Sequence, residues 1–215
     1  PLSRGALVTT HKIDLYQAAR DLFDVRDPLS SLMGETSCIS KSELGLLCHA
    51  KDPISSALAL RAFVPNGHWA GSDAEVCCLG AGGSTLAISW YLTRESHGAD
   101  RPSRVVVTNR SAARLEHARE FHESLGVDVP FEYVLAPEPT VNDEVVARLG
   151  PGSLVVNATG LGKDAPGSPV TDGVVFPQDG FAWELNYRGD LRFLAQAGAQ
   201  EESRLRHVED GWTYF

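Results

Sequence analysis

The run Gly80-Ala81-Gly82-Gly83-Ser84-Thr85 carries the strongest chemical signal in the sequence. It joins an apolar stretch, Ala74 to Leu79, to a helical pattern over about 84–96. Glycines at such a junction let the chain turn with φ > 0 and let an anion approach the main chain closely. The helix that follows offers free N–H groups and the positive end of its dipole. That chemistry suits the pyrophosphate of a dinucleotide, with Gly80, Ala81, Gly82, Gly83 and Ser84 as the expected contacts. Thr85 stands where the usual fingerprint has a third glycine or alanine. The alternative reading is a glycine turn in an α/β protein that binds nothing there.

A second loop sharpens the ligand. Arg104 to Thr108 reads as a strand, and it ends in Asn109-Arg110-Ser111, with Arg114 one helical turn later. An enzyme that uses NAD commonly has an acidic residue here, bound to the ribose 2′-hydroxyl. A guanidinium fork suits a phosphate instead. Asn109, Arg110, Ser111 and Arg114 therefore point to NADP, the alternative being that the two arginines solvate a helix face. A third loop, Asn157-Ala158-Thr159-Gly160-Leu161-Gly162, follows an apolar run at 153–157. On the same sheet edge it either borders the nicotinamide or is a bare turn.

These loops need a frame that brings them together. Apolar runs and helical patterns alternate: strands at 74–79, 104–108, 131–135, 153–157 and 181–186, and helices at about 84–96, 111–125, 141–149 and 190–197. Such repeated units predict an α/β fold, a Rossmann-type parallel sheet with helices on both faces. Right-handed crossovers then place the loops after each strand on one edge. Upstream, residues 5–10 read as a short strand, 11–24 as a helix with an apolar stripe, 35–40 as a further strand and 53–62 as a helix opened by Pro53. Turn residues at Pro65-Asn66-Gly67 and Gly71-Ser72-Asp73 separate the two regions.

Composition narrows the classes. With 215 residues, 43% of them apolar, the chain can bury a sizeable core, and it has no stretch that would span a bilayer. A formal charge of −9 argues against a nucleic-acid partner. It leaves room for an anionic ligand in a locally positive pocket. Cys38, Cys48, Cys77 and Cys78 show no metal-binding spacing, nor do the seven histidines, so no metal is expected. The cysteines read as reduced thiols and no signal peptide is present, which points to the cytoplasm. The chain opens on Pro1 a few residues before a strand, so an N-terminal portion is expected to precede it.

Taken together, the three loops resemble the shikimate/quinate dehydrogenase family. That family carries Gly-Ala-Gly-Gly-Ala, then Asn-Arg-Thr followed by a basic residue, then Asn-Ala-Thr-x-x-Gly. Here these are Gly80 to Ser84, Asn109 to Ser111 with Arg114, and Asn157 to Gly162. Upstream, Val8-Thr9-Thr10-His11-Lys12 resembles its Val-Thr-x-Pro-x-Lys, without the proline and one residue shorter. Gly34 to Cys38 occupies the place of Gly-Ala-Val-Asn-Thr, with Ser37 for the asparagine. Ala50-Lys51-Asp52-Pro53 keeps only the aspartate of Asn-Thr-Asp-Gly. Downstream, Leu185-Asn186-Tyr187 resembles Tyr-Asn-Pro, and Val208 to Gly211 the approach to a substrate-binding glutamine that would fall beyond Phe215.

The resemblance implies reversible hydride transfer between NADP(H) and a cyclic hydroxy acid or its keto form, such as shikimate and 3-dehydroshikimate, by a monomer or homodimer. It implies Lys12 as the acid/base and Asp52 as the group that orients it and accepts from the substrate hydroxyl. Read alone, Lys12 is an exposed lysine at a helix start and Asp52 a helix N-cap. Thr9 or Thr10, and Ser37, become substrate hydrogen-bonders, and Leu185 and Gly211 join the cofactor contacts. The implied organisation is a partial substrate-binding domain over 1–62, a dinucleotide domain over 63–186 and C-terminal helices over 187–215 returning to the substrate domain. Two alternatives stand beside it: a non-catalytic NADP-binding protein, and a related dehydrogenase acting on a different substrate.

Overall fold

A computed structural model describes residues 3–214. The first part of the chain holds β1 (Gly5–Leu7), α1 (Lys12–Ala19), β2 (Val25–Arg26), α2 (Pro28–Met33), β3 (Cys38–Ser42), β4 (Gly45–His49) and α3 (Asp52–Phe63). The strands form a mixed sheet in the order β1-β3-β4-β2, with β2 parallel to β4 and the other pairs antiparallel. The sequence pattern misses β2 and α2, which are short, and also β4. The signals for α2 are nonetheless local: the Asp27 side chain caps Ser30 N–H, Pro28 opens the helix, and Gly34 closes it at φ 60°.

The larger part follows the expected alternation: β5 (Val76–Leu79), α4 (Gly83–Thr93), β6 (Val105–Asn109), α5 (Ala112–Leu125), β7 (Phe131–Leu135), α6 (Pro139–Ala147), β8 (Leu154–Asn157), β9 (Gly180–Glu184), α7 (Arg192–Gly198) and β10 (Leu205–Glu209). All six strands are parallel, in the order β10-β9-β8-β5-β6-β7. The order reverses beside β5, which places the loops after β5, β6 and β8 around one crevice. Every residue of β5, β8 and β9 is buried, as a sheet covered on both faces requires. One face packs on α3, α4 and α5 through Leu60, Leu86 and Leu115. The other packs on α6 and α7 through Val146 and Phe193. No described helix is long and apolar enough to cross a membrane.

One expectation is corrected here. The sequence predicts C-terminal helices over 187–215, but the described residues of that segment hold a single α-helix, α7, followed by β10. β10 adds an edge strand to the large sheet beside β9. The segment Leu-Arg-His-Val-Glu is apolar at only two of five positions, as a strand on the sheet edge can be.

Glu35 follows α2 and is fully buried, and neither of its carboxyl oxygens has a hydrogen-bond partner among the described residues. The carboxyl lies against Gly83 at the start of α4, filling space that a side chain would otherwise occupy. Burial, and then the Asp52 charge, push it up to about 8 against the opposing pull of Lys12. The folded protein therefore holds this proton to a higher pH than the unfolded chain does. The contribution of Glu35 to stability falls as pH rises from the ordinary glutamate range to about 8. Glu35→Gln removes the ionisation and flattens that slope, leaving the variant more stable than the parent above pH 8 by on the order of 3 kcal/mol. Urea unfolding at a series of pH values reads this, and parallel slopes for the two proteins would show that Glu35 is not the group responsible.

Candidate active site

The loops after β5, β6 and β8 meet the N-termini of α1 and α3 around one cleft of about 800 Å³. Its lining includes Gly80 to Ser84, Asn109, Arg110, Ser111, Arg114, Ala158, Thr159 and Leu185. From the smaller part it includes Thr9, Thr10, Lys12, Ser37 and Asp52. Two residues singled out in the sequence do not line it. Asn157 is buried at the end of β8, and Gly211 packs against the main chain of Leu185 and Asn186 just after β9.

The glycine loop takes its shape from its neighbours. Gly80 has φ 116°, a backbone shape that L side chains rarely adopt, and an added methyl would lie 2.7 Å from the Ala158 carbonyl oxygen. Thr85 is buried, and its hydroxyl donates to the Gly80 carbonyl at 2.7 Å. A threonine at this place thus closes the turn from within. Gly82 precedes the helix in extended backbone and α4 has no side-chain cap, so its first N–H groups are open to an anion.

After β6, the Asn109 Oδ1 accepts from Ser111 N–H at 2.8 Å, and Ser111 caps α5 by accepting from Arg114 N–H. The two arginines then differ. Arg114 donates to both oxygens of Asp14 on α1, at 3.0 and 3.1 Å. Arg110 is exposed at the cleft and has no hydrogen bond or ion pair among the described residues. An unpaired guanidinium facing a cleft is a ready anion site. Asp14 had no signal in the sequence, since its partner lies far along the chain.

After β8, Asn157 builds its loop from inside. Its amide donates to Glu184 at 2.8 Å, and its Oδ1 accepts from Thr159 N–H and from the Thr159 hydroxyl. Asn186 completes the frame by donating to the carbonyls of Thr159 and Leu161. Burial pushes Glu184 up to about 7, offset in part by donors from Asn186 and Asn157.

Lys12 and Asp52 sit where two helices begin. Lys12 is the first residue of α1, preceded by His11 at φ 51°. Asp52 is the first residue of α3. Its carboxylate does not cap the helix; it accepts from the Lys12 ammonium through Oδ2. The Lys12 and Asp52 side chains are 14% and 8% exposed, so the pair is only partly screened by water. Tyr214, absent from the sequence reading, reaches the same spot: its hydroxyl lies 2.9 Å from Asp52 Oδ2 and 2.8 Å from Ser84 Oγ. Burial, and then the Asp52 charge, push this phenol well above its ordinary value, so it stays protonated. Ser37 is buried and already engaged, accepting from Lys51 N–H at 2.6 Å and donating to the His49 carbonyl. Thr9 and Thr10 are exposed to the cleft.

No family model matches the chain. Among curated proteins it is 26% identical over 171 residues to a shikimate dehydrogenase (NADP(+)) of Methanothrix thermoacetophila, covering 80% of this chain and 55% of that one. The chain spans about half the length of the curated relatives it matches. Among solved structures it superposes on the shikimate dehydrogenase of Aquifex aeolicus with a TM-score of 0.69 and 20% identity, over 98% of this chain and 67% of that one. It also matches the shikimate 5-dehydrogenase of Thermus thermophilus in complex with NADP(H) and shikimate. That TM-score is 0.68 with 26% identity, over 99% and 69% of the two chains. In both sequence and fold, this chain is similar to shikimate dehydrogenases.

Proposed function

We propose that this chain belongs to an NADP-dependent oxidoreductase of the shikimate dehydrogenase type. It would interconvert an alcohol and a ketone on a cyclic hydroxy acid such as shikimate. The observation that carries the reading is the Lys12–Asp52 pair opening on the same cleft as the glycine loop and Arg110. In this division of labour residues 1–62 contribute to substrate binding and 63–186 hold the dinucleotide. The relatives named above, one of them solved with NADP(H) and shikimate, support the choice of both ligands.

The residues present fit the dinucleotide. Uncapped N–H groups at the start of α4 suit the pyrophosphate, and Arg110 suits the 2′-phosphate. Asn109, Ser111, Ala158 and Thr159 border the rest. The cofactor, when bound, supplies the hydride acceptor or donor. The protein's share is proton handling and orientation. In the oxidation direction the substrate hydroxyl must lose a proton as the carbon loses hydride, and in reduction the oxygen must gain one. Lys12 is the group that holds that proton, and Asp52 fixes its ammonium and stands ready to accept from the hydroxyl. Thr9, Thr10 and Ser37 line the side of the cleft where the rest of the ring would sit.

Lys12→Ala keeps NADPH binding within about twofold and lowers kcat by at least about 100-fold, the usual scale of a lost general acid–base group. Fluorescence titration and steady-state assay, with shikimate, quinate and related polyols, measure the two. Full turnover in the variant would remove the role given to Lys12. For the cofactor, Arg110→Ala weakens NADP by about 10-fold or more and leaves NAD little changed, as expected for a charge-assisted bond to a phosphate. Equal weakening of both would separate Arg110 from the 2′-phosphate.

A further inference from the structure

Asp52 Oδ2 carries two donors, the Lys12 ammonium and the Tyr214 phenol. No hydrogen bond reaches Oδ1 from any described residue, yet Oδ1 is not among the buried, unpartnered side-chain oxygens. Asp52 lines the cleft, and Oδ1 is the oxygen that no described donor occupies. A carboxylate can only accept, so the single phenol proton goes to Asp52, and the Ser84 hydroxyl donates to the phenol oxygen. The result is a chain running Ser84 to Tyr214 to Asp52 to Lys12, from the first turn of α4 to the first residue of α1.

Tyr214 is held there by more than its hydroxyl. Its ring stands edge-on to the fully buried Trp183, with centroids 5.7 Å apart. Trp183 donates from its indole nitrogen to the Asp210 carbonyl at 3.2 Å. Gly211 backs directly onto the end of β9: an added methyl would lie 2.5 Å from the Leu185 carbonyl oxygen and 2.6 Å from that of Asn186. The segment after β10 is thus laid against the sheet in one position, with its tyrosine pointing at the acid–base pair.

We propose that Tyr214 is a positioning residue of this acid–base pair: by sharing Oδ2 of Asp52 with Lys12 it reserves Oδ1 for the substrate hydroxyl, and through Ser84 it ties that orientation to the cofactor loop. This rests on the dehydrogenase reading given above. It assigns the substrate-facing oxygen of Asp52 and gives the C-terminal segment a place in the site. Without the phenol, the carboxylate keeps one donor and is free to rotate about its Cβ–Cγ bond, so either oxygen can meet the substrate.

Tyr214→Phe in the full chain tests this, since it keeps the ring on Trp183 and removes only the hydroxyl. The expected result is NADPH affinity within about twofold of the parent, substrate KM little changed, and kcat lower by about tenfold, the value of one hydrogen bond to a charged group. The loss falls on kcat while KM and NADPH affinity hold, a split that a packing defect of the cleft would not give. Gly211→Ala, which pushes the segment off β9 while keeping the phenol, lowers kcat with the same split. A Tyr214→Phe protein with the parent's kcat would overturn the assignment. A parent that binds NADPH yet turns over no cyclic hydroxy acid would overturn the dehydrogenase reading, and this assignment with it.

Discussion

The contact on which the site depends is the ion pair between Lys12 and Asp52. It joins two residues forty positions apart, each at the first turn of its helix. A lysine at a helix N-terminus is disfavoured by the dipole, and a buried carboxylate is disfavoured by desolvation. Each is tolerable because the other is there, which is why breaking a partly buried pair costs more than the pair contributes. The α1 and α3 starts converge because both strands that lead to them, β1 and β4, belong to one small sheet with β3 between them. Sheet order therefore brings the two charges together.

The same logic explains how an acidic protein can present local positive charge. The chain carries a formal charge of −9, yet the rim of the crevice has the open N-terminus of α4 and the unpaired Arg110. Arg114, by contrast, is engaged with Asp14, and the bond clamps α5 onto α1 across the crevice. One arginine thus serves the frame while its neighbour is left for a ligand. Local donors, and not net charge, decide what such a crevice attracts.

Much of the frame was legible from the chain alone. The parallel strands 76–79, 105–109 and 154–157 are buried and mostly apolar, the edge strand 131–135 is half-buried, and their alternation with helices fixes the architecture. The glycine loop and its two companions were legible because backbone shape and residue type are local properties. What escaped was nonlocal or short. β2 has two residues, and β10 has an edge composition. Asn157 looked like a ligand contact because its place in the chain resembles one, while its amide and carbonyl groups in fact hold Thr159 and Glu184. Glu35, Asp14 and Tyr214 carried no signal, since each acquires its meaning only from partners brought near by folding.

The central strand also has a consequence for how the molecule meets oxidants. Cys77 and Cys78 point to opposite faces of β5, one into each layer of the core, and both are fully buried. Burial raises both thiols, Cys78 to about 12, so neither has an appreciable population of the nucleophilic thiolate. Alkylating and oxidising reagents can reach them only when the sheet itself comes apart. The adjacent pair is therefore a built-in gauge of global opening: the rate at which these sulfurs are modified counts unfolding events and ignores the fluctuations of the cleft beside them.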